Sequence, residues 1–251
     1  MAFRTGPVTK PSHPTFAPKL LAARAEIPGV TTFRFASPAG FAFTPGQFAM
    51  FHFEDDPKTW RAYSLCSSPA RAAEFFEVTV GMVGPFSDRL GTLAPGGEHG
   101  LVVRGPFGKW IYDGSASHAV LISGGTGITP FRSMCAHKID NSSAGRLTVC
   151  YSAKTPADLI FQNEYVAWKE AGIAVHPRIT RPQDAKTSWN GLTGRWTPDE
   201  LLKIAGDPAG VVFYLCGPNK MVQELREGLQ ARGVPAENVR TEKWGDYTDL
   251  F

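Results

Sequence analysis

The spacing of apolar runs changes once along this 251-residue chain, at about residue 112. Before that point, short apolar or alternating runs are separated by Gly/Pro turns at intervals too short for long helices, which is typical of an antiparallel barrel. After it, apolar runs alternate with helical segments, which predicts a parallel sheet flanked by helices. We therefore expect an antiparallel β-barrel of Greek-key type over residues 1–112. An α/β nucleotide-binding domain with a C-terminal tail is expected over 113–251.

Composition argues against several classes of protein. With 26 Lys plus Arg against 23 Asp plus Glu, the net charge of +3 is too small to indicate nucleic-acid binding. Four cysteines without a C-x-x-C pair, and six histidines without H-E-x-x-H spacing, give no local support for a metal site or an iron–sulfur cluster. No apolar run is as long as a membrane span, and prolines interrupt the N-terminus where a signal peptide is apolar. We expect a cytoplasmic protein without metal, nucleic acid or membrane contacts.

The most informative segment is the glycine-rich stretch from Leu121 to Pro130, between a buried strand and a helix. Glycines let backbone amides approach an anion, and a helix N-terminus adds a favourable dipole. Pro130 stands where the Rossmann fingerprint needs its third glycine, and no lysine follows as in a P-loop. The segment predicts a phosphate or dinucleotide site of another type, with a plain strand-to-helix turn as the alternative.

A second strand, from Val211, ends at Cys216 on the carboxyl edge of the same predicted sheet. Open parallel sheets bind ligands at that edge. A cysteine at this position is also explained as a small buried apolar residue that ends a core strand.

In the first half, the run R-A-Y-S at 61–64 combines a fixed cation, an aromatic ring and a hydroxyl. Along a strand, Arg61 and Tyr63 share one side and Ser64 lies on the other or in a bend. A guanidinium suits a pyrophosphate, and a tyrosine ring suits stacking on a flat heterocycle. The glycines and hydroxyl of 81–87 suit the same phosphates. A core tyrosine and an ordinary hairpin loop are the alternatives.

Five motifs occur in a distinctive order along the chain. They are R-x-Y-S at 61–64, G-x-x-S at 84–87, G-P-F-G at 105–108, G-G-T-G-I-T-P at 124–130 and C-G-P at 216–218. Together they resemble the ferredoxin–NADP(+) reductase superfamily, over residues 18–247 or so. The resemblance implies an FAD-binding barrel joined to an NAD(P)-binding domain, with hydride passing from nicotinamide to flavin where the domains meet.

The resemblance also implies roles for particular residues. Those implied to contact FAD are Arg61, Ala62, Tyr63, Ser64, Val80, Gly84, Phe86, Ser87 and Trp244. Those implied to hold NAD(P) are Gly124, Gly125, Thr126, Gly127, Pro130, Cys216, Gly217 and Pro218. Ser64, Cys216 and Glu242 are expected in catalytic positions, Ser64 near the flavin N5 and the other two near the nicotinamide. Residues 79–81 lack the basic residue of many relatives, so Arg61, with Arg89 nearby, is expected to neutralise the FAD pyrophosphate.

Cations at two strand ends bear on the choice of nicotinamide cofactor. Lys154 follows the second strand of the predicted sheet with no immediate carboxylate, and Arg181 follows the next strand. This pattern suits the 2′-phosphate of NADP, so both residues are expected in the NAD(P) site. We favour NADPH as donor, with NADH as the alternative.

The acceptor is expected to be a separate protein, because the chain lacks the cysteine cluster of a [2Fe–2S] domain. Basic residues near the flavin motifs favour an acidic ferredoxin or flavodoxin, although they also fit an unpatterned positive surface. These residues are Lys58, Arg61, Arg71, Arg89 and Lys109. The alternatives are a free-flavin reductase, a reductase component of a multicomponent oxygenase, and a non-enzymatic nucleotide-sensing or adaptor module. We expect a monomer.

Overall fold

The structure is a computed structural model that describes residues 13–97, 99–142, 144–206 and 210–242. The strands are β1 (Thr15–Phe16), β2 (Leu20–Ile27), β3 (Val30–Ala36), β4 (Phe48–Phe53), β5 (Asp56–Ser64), β6 (Phe75–Gly81), β7 (Leu101–Phe107), β8 (His118–Gly124), β9 (Arg146–Ala153), β10 (Ala174–Ile179), β11 (Leu192–Thr193), β12 (Val211–Cys216) and β13 (Val239–Thr241). The α-helices are α1 (Pro85–Gly91), α2 (Thr129–Asn141), α3 (Tyr165–Glu170), α4 (Pro198–Ala205) and α5 (Asn219–Gln230).

Two antiparallel sheets form the first half of the molecule. One has the strand order β1-β7-β4-β5 and the other β2-β3-β6. A bridge between Leu65 and Val78 joins the chain after β5 to β6. Alternate side chains of the strands point inward, as the period of two requires, and they fill one core. Fully buried phenylalanines dominate this core: Phe33, Phe35, Phe51 and Phe76.

A six-stranded parallel sheet with the order β11-β10-β9-β8-β12-β13 forms the second half. Helices cover both of its faces, so the central strands β8 and β12 are buried along their whole length. On β8, Leu121 packs in one core with Phe131 of α2, and Val120 packs in the other core with Leu225 of α5. Because β8 and β12 are neighbours, the glycine loop after β8 and Cys216 at the end of β12 meet at one edge of the sheet. The predicted fold class is confirmed.

Two local features differ from the sequence expectation. The segment expected to be only a loop contains the short helix α1, which begins at Pro85. A threonine followed by proline is typical of an N-cap and the first helical residue, but α2 already includes Thr129, because a 3₁₀ turn over Gly125–Ile128 runs directly into the helix. The Thr129 hydroxyl donates instead to the Thr126 carbonyl, at 2.7 Å. Within the described ranges, none of the helices combines the length and apolarity needed to span a bilayer.

Candidate functional site

A cavity of about 600 Å³ opens where the two halves of the molecule meet. Volumes of this size are typical of small-molecule and cofactor sites. Six residues expected in the cofactor sites line it: Arg61, Ala62, Tyr63, Ser64, Val80 and Thr126. The fold thus brings the end of β5, the end of β6 and the glycine loop to one place.

Six further residues line the cavity: three lie within the segments 81–87 and 121–130 that were expected to bind phosphates, and three come from outside any expected segment. They are Phe48, Trp60, Thr79, Gly81, Val83 and Thr129. Trp60 lies two positions before Ala62 on β5, and both pack against the same apolar cluster, so the strand period was a signal for it. Phe48 is paired with Ser64 across β4 and β5, a register that no local pattern shows.

Tyr63 and Arg61 lie on the same side of β5, as the strand period predicts. The Tyr63 ring lies edge-on to Phe51 with the centroids 5.4 Å apart, and its centroid is 6.2 Å from that of Phe86. The Arg61 guanidinium carbon is 5.9 Å from the Phe86 ring centroid, and its Nη1 donates to the Trp60 carbonyl at 2.8 Å. Burial raises the pKa of Tyr63 to about 12, so its phenol is neutral at physiological pH.

The loop before α1 is shaped by its own serine. The Ser87 hydroxyl accepts from the amides of Val83 and Gly84, at 3.0 and 3.1 Å, and donates to the Gly84 carbonyl at 2.9 Å. Val83 at the tip of this loop is 92% exposed. Gly84, Phe86 and Ser87 therefore support the rim of the cavity from behind its lining.

Two of the basic residues expected near the flavin already have acidic partners. Arg89 Nη1 lies 2.7 Å from Asp55 Oδ1, and Arg71 Nη2 lies 2.6 Å from Glu74 Oε2. These partners reduce the positive field that either arginine adds to the cavity rim.

The glycine loop touches the end of β12 so closely that one position tolerates no side chain. A Cβ on Gly127 would lie 2.3 Å from the Cys216 carbonyl oxygen and 2.9 Å from the Gly217 Cα. Gly125 has φ +58, in the left-handed region that favours glycine, with open space beyond it. On the other side of the loop, a Cβ on Gly124 would lie 3.1 Å from Pro218. The loop and the C-G-P segment thus form a single surface.

Cys216 and Glu242 are brought together at the sheet edge. The buried Cys216 thiol donates to Glu242 Oε2 at 3.6 Å, and the Glu242 amide donates to the Leu215 carbonyl at 3.2 Å. Burial raises the pKa of Glu242 to about 7, even though part of its side chain remains exposed, and the thiol only partly opposes that effect. The Glu242 carboxyl therefore changes its protonation state near neutral pH. Trp244 and the rest of the tail lie outside the described residues.

Lys154 and Arg181 lie side by side at the ends of β9 and β10. The Arg181 amide donates to the Lys154 carbonyl at 2.9 Å, and both side chains are exposed. The two cations therefore share one edge of the sheet with the glycine loop.

A two-domain architecture with a cavity between an antiparallel barrel and a parallel sheet defines the class of flavin- and nucleotide-binding reductases. Residues 121–227 match the family model of the oxidoreductase NAD-binding domain. Ferredoxin–NADP reductase B of Sorangium cellulosum is 31% identical over 246 residues, covering 91% of this chain and 97% of that protein. The glycine betaine monooxygenase reductase subunit of Chromohalobacter salexigens is 30% identical over 225 residues, which are 86% of this chain and 60% of that protein.

A solved structure shows the same fold. The ferredoxin NADP+ reductase of Neisseria gonorrhoeae, with bound FAD and NADP, superimposes with a TM-score of 0.74 at 23% identity, over 87% of this chain and 92% of that one. The chain belongs to the ferredoxin–NADP(+) reductase superfamily. It is therefore an NAD(P)H-dependent flavoprotein oxidoreductase that passes electrons to a partner.

Proposed function

We propose that the protein takes electrons from NADPH at the cavity between its two halves and delivers them singly to a separate ferredoxin or flavodoxin. The observation that carries this proposal is the meeting of the R-A-Y-S strand end and the glycine loop at one cavity. Bound FAD supplies the chemistry that converts a two-electron donor into single electrons. In this proposal residues 1–112 form the flavin domain, and residues 113–251 form the nicotinamide nucleotide domain.

The cavity residues fit a flavin. Most of the lining is apolar, and its polar side chains come from β5, from β6 and from the glycine loop with the start of α2, as in sites where a few polar groups orient a ligand. Tyr63 would offer its ring face, Ser64 its hydroxyl, and Ala62 and Val80 the walls. Arg61 would meet the pyrophosphate beside the loop of Gly84, Phe86 and Ser87. Trp244 remains a prediction for the other face of the flavin.

The glycine loop fits the phosphates of NAD(P). Gly125 is exposed with open space beside it, so an anion can approach the backbone there, close to the N-terminus of α2. Gly127 lets the same turn pack against β12. Thr126 adds a hydroxyl-bearing side chain that also lines the cavity. Gly217 and Pro218 would contact the nicotinamide side of the cofactor next to Cys216. Lys154 and Arg181 would bind the 2′-phosphate that distinguishes NADP from NAD.

Three side chains of this protein have roles in the transfer step. The Ser64 hydroxyl would orient the reacting edge of the flavin by a hydrogen bond, and Cys216 would hold the nicotinamide ring in place by contact. Glu242, whose pKa lies at about 7, holds a proton next to the Cys216 thiol below that pH and releases it above. The apolar walls of the cavity, to which Phe48 and Val80 contribute, would exclude water from a flavin bound there.

The direct test is anaerobic reduction of the purified protein by each nicotinamide. We expect yellow protein whose flavin absorbance is bleached by NADPH faster than by NADH, and which then reduces an added ferredoxin or flavodoxin. Colourless protein, or yellow protein that neither nicotinamide bleaches, would contradict the proposal. A higher kcat/KM with NADH would contradict the choice of NADPH alone.

A second candidate acceptor is supported by one of the relatives. The similarity to a monooxygenase reductase subunit favours delivery of electrons to an oxygenase. Reduction of a purified oxygenase component, but not of ferredoxin or flavodoxin, by NADPH and this protein would identify that role.

A further inference from the structure

One arginine outside the cavity lining joins the two halves of the molecule. Arg132 of α2 places Nη1 at 2.6 Å from Oε2 of Glu77 on β6, so this ion pair crosses from one half to the other. The two side chains are only 14% and 6% exposed. Arg132 Nε also donates to Glu164, at 2.8 Å to Oε1 and 3.0 Å to Oε2. The guanidinium is thus held from two directions.

This arginine is connected to both walls of the cavity. Its Nη1 lies 3.4 Å from the Cys66 carbonyl oxygen and 3.7 Å from Cys66 Sγ. Cys66 Sγ in turn lies 3.3 Å from Oγ1 of Thr79, which lines the cavity on the barrel side. On the opposite side, Thr129 lines the cavity one helical turn before Arg132. The Arg132–Glu77 ion pair therefore connects the two walls of the cavity.

Helix α2 also contacts the barrel at its other end. The Ser68 hydroxyl, four residues after Ser64, donates to Asp140 in the last turn of the helix. Two contacts along one helix prevent it from pivoting about either of them. Because α2 begins directly after the glycine loop, contacts that fix the helix against the barrel also fix the loop there.

The electrostatics of the pair favour a role in geometry over a role in stability. Burial alone raises the pKa of Glu77, but Arg132 and Arg34 outweigh it and hold that pKa below its usual value, so the carboxylate is charged. Buried ion pairs add little net stability over apolar packing, because desolvation offsets their attraction. An ion pair does fix the distance and the relative orientation of its two side chains, whereas apolar surfaces can slide past each other.

We propose that Arg132 is a positioning residue. Its ion pair with Glu77 holds the glycine loop at a fixed distance and orientation relative to the barrel side of the cavity, which Thr79 and Val80 line. The inference rests on the proposed function, because the placement of the glycine loop relative to the barrel affects a reaction rate only if two cofactors must meet in the cavity. A displacement of about 1 Å between reacting groups is enough to reduce a rate by about a hundredfold.

The test compares two arginines that bind the same carboxylate. Arg34 of β3 contacts Glu77 Oε1 at 2.8 Å from within the barrel, so Arg34→Met removes a partner of Glu77 without removing the link between the halves. Arg132→Met removes the ion pair with Glu77 and leaves the Ser68–Asp140 hydrogen bond and the 3.7 Å Arg24–Glu164 contact in place. Arg132→Lys keeps the positive charge without the planar fork. We expect Arg132→Met to slow flavin bleaching at saturating NADPH about tenfold or more, with Arg132→Lys in between and Arg34→Met near the wild-type rate.

Two further measurements distinguish a loss of positioning from a loss of NADP+ affinity and from a general loss of stability. The calorimetric Kd for NADP+ is expected to stay within about threefold of wild type in Arg132→Met, because the glycine loop itself is unchanged. Hydrogen exchange of the peptides that contain residues 76–81 and 126–132 is expected to rise in Arg132→Met and not in Arg34→Met. If Arg132→Met does not fold, the isosteric variant Glu77→Gln is expected to show the same pattern.

Equal bleaching rates in wild type and a folded Arg132→Met, or equal losses in the two arginine variants, would overturn the inference. If neither nicotinamide bleaches the wild-type protein, the proposed function fails. The hydrogen-exchange comparison then still decides whether Arg132 holds the two halves of the molecule in a fixed relative position.

Discussion

Replacing Glu242 with Gln removes a carboxyl whose pKa the fold raises from 4.5 to about 7. In the unfolded chain this group loses its proton near the lower value, and in the folded protein near the higher one. Between those two pH values the folded state binds more protons than the unfolded state. The free energy of unfolding therefore falls as pH rises through this window, and the full loss is present above pH 7 or so. Below the unfolded pKa both states are protonated, so the penalty disappears.

The size of the effect follows from the difference between the two pKa values. A change from 4.5 to about 7 corresponds to at most about 3 kcal/mol. The value is an upper limit, because Glu242 keeps part of its side chain in contact with solvent. For a protein of this size, about 1 kcal/mol changes Tm by about 2–4 °C. We therefore expect the wild-type Tm to fall by up to about 10 °C relative to Glu242→Gln between pH 5 and pH 8.

The measurement is thermal unfolding of both proteins across that pH range. Comparing the two proteins at each pH cancels the titration of every group they share. Glu224→Gln is the matched control, because it makes the same change at a carboxylate of α5 whose side chain is 53% exposed. A wild-type and Glu242→Gln difference that is the same at pH 5 and pH 8 would refute the argument from burial.

Three further experiments, which use four variants, test the geometry of the site. Gly127→Ala forces a Cβ to 2.3 Å from a backbone oxygen and is expected to cost about 1–3 kcal/mol in thermal unfolding. Gly84→Ala meets nothing within 4 Å and is expected to cost under about 0.5 kcal/mol, so equal losses would contradict the packing argument. Ser64→Ala is expected to keep bound FAD and lose much of its reduction rate in stopped flow; wild-type speed would refute its role. Replacing Lys154 and Arg181 together by Ala is expected to lower kcat/KM for NADPH about tenfold more than for NADH, and a uniform loss would argue against 2′-phosphate binding.

Much of the architecture and of the site was predictable because it depends on local pattern. A period of two in the first half and strand–helix alternation in the second predicted the two sheet types, and the alternation along β5 predicted that Tyr63 and Arg61 share a side. Glycines in the loop after β8 predict that backbone amides can approach an anion, and this stays a prediction. The structure shows a different use of one of them, because Gly127 lets the loop pack against the Cys216 carbonyl. Helix α1 was not predicted, since its seven residues are too few to show a periodic pattern.

The sequence by itself determined the types of secondary structure, their order, the positions of the glycines and the residues with reactive side chains. It could do so because those properties belong to short stretches of chain. Only the tertiary structure decided that Phe48 faces Ser64, that burial raises the pKa of Glu242, and that Arg132 reaches Glu77 from 55 positions away. Strand register, burial and contacts between distant residues depend on how whole sheets and helices pack. That packing is a property of the complete fold, which no local pattern encodes.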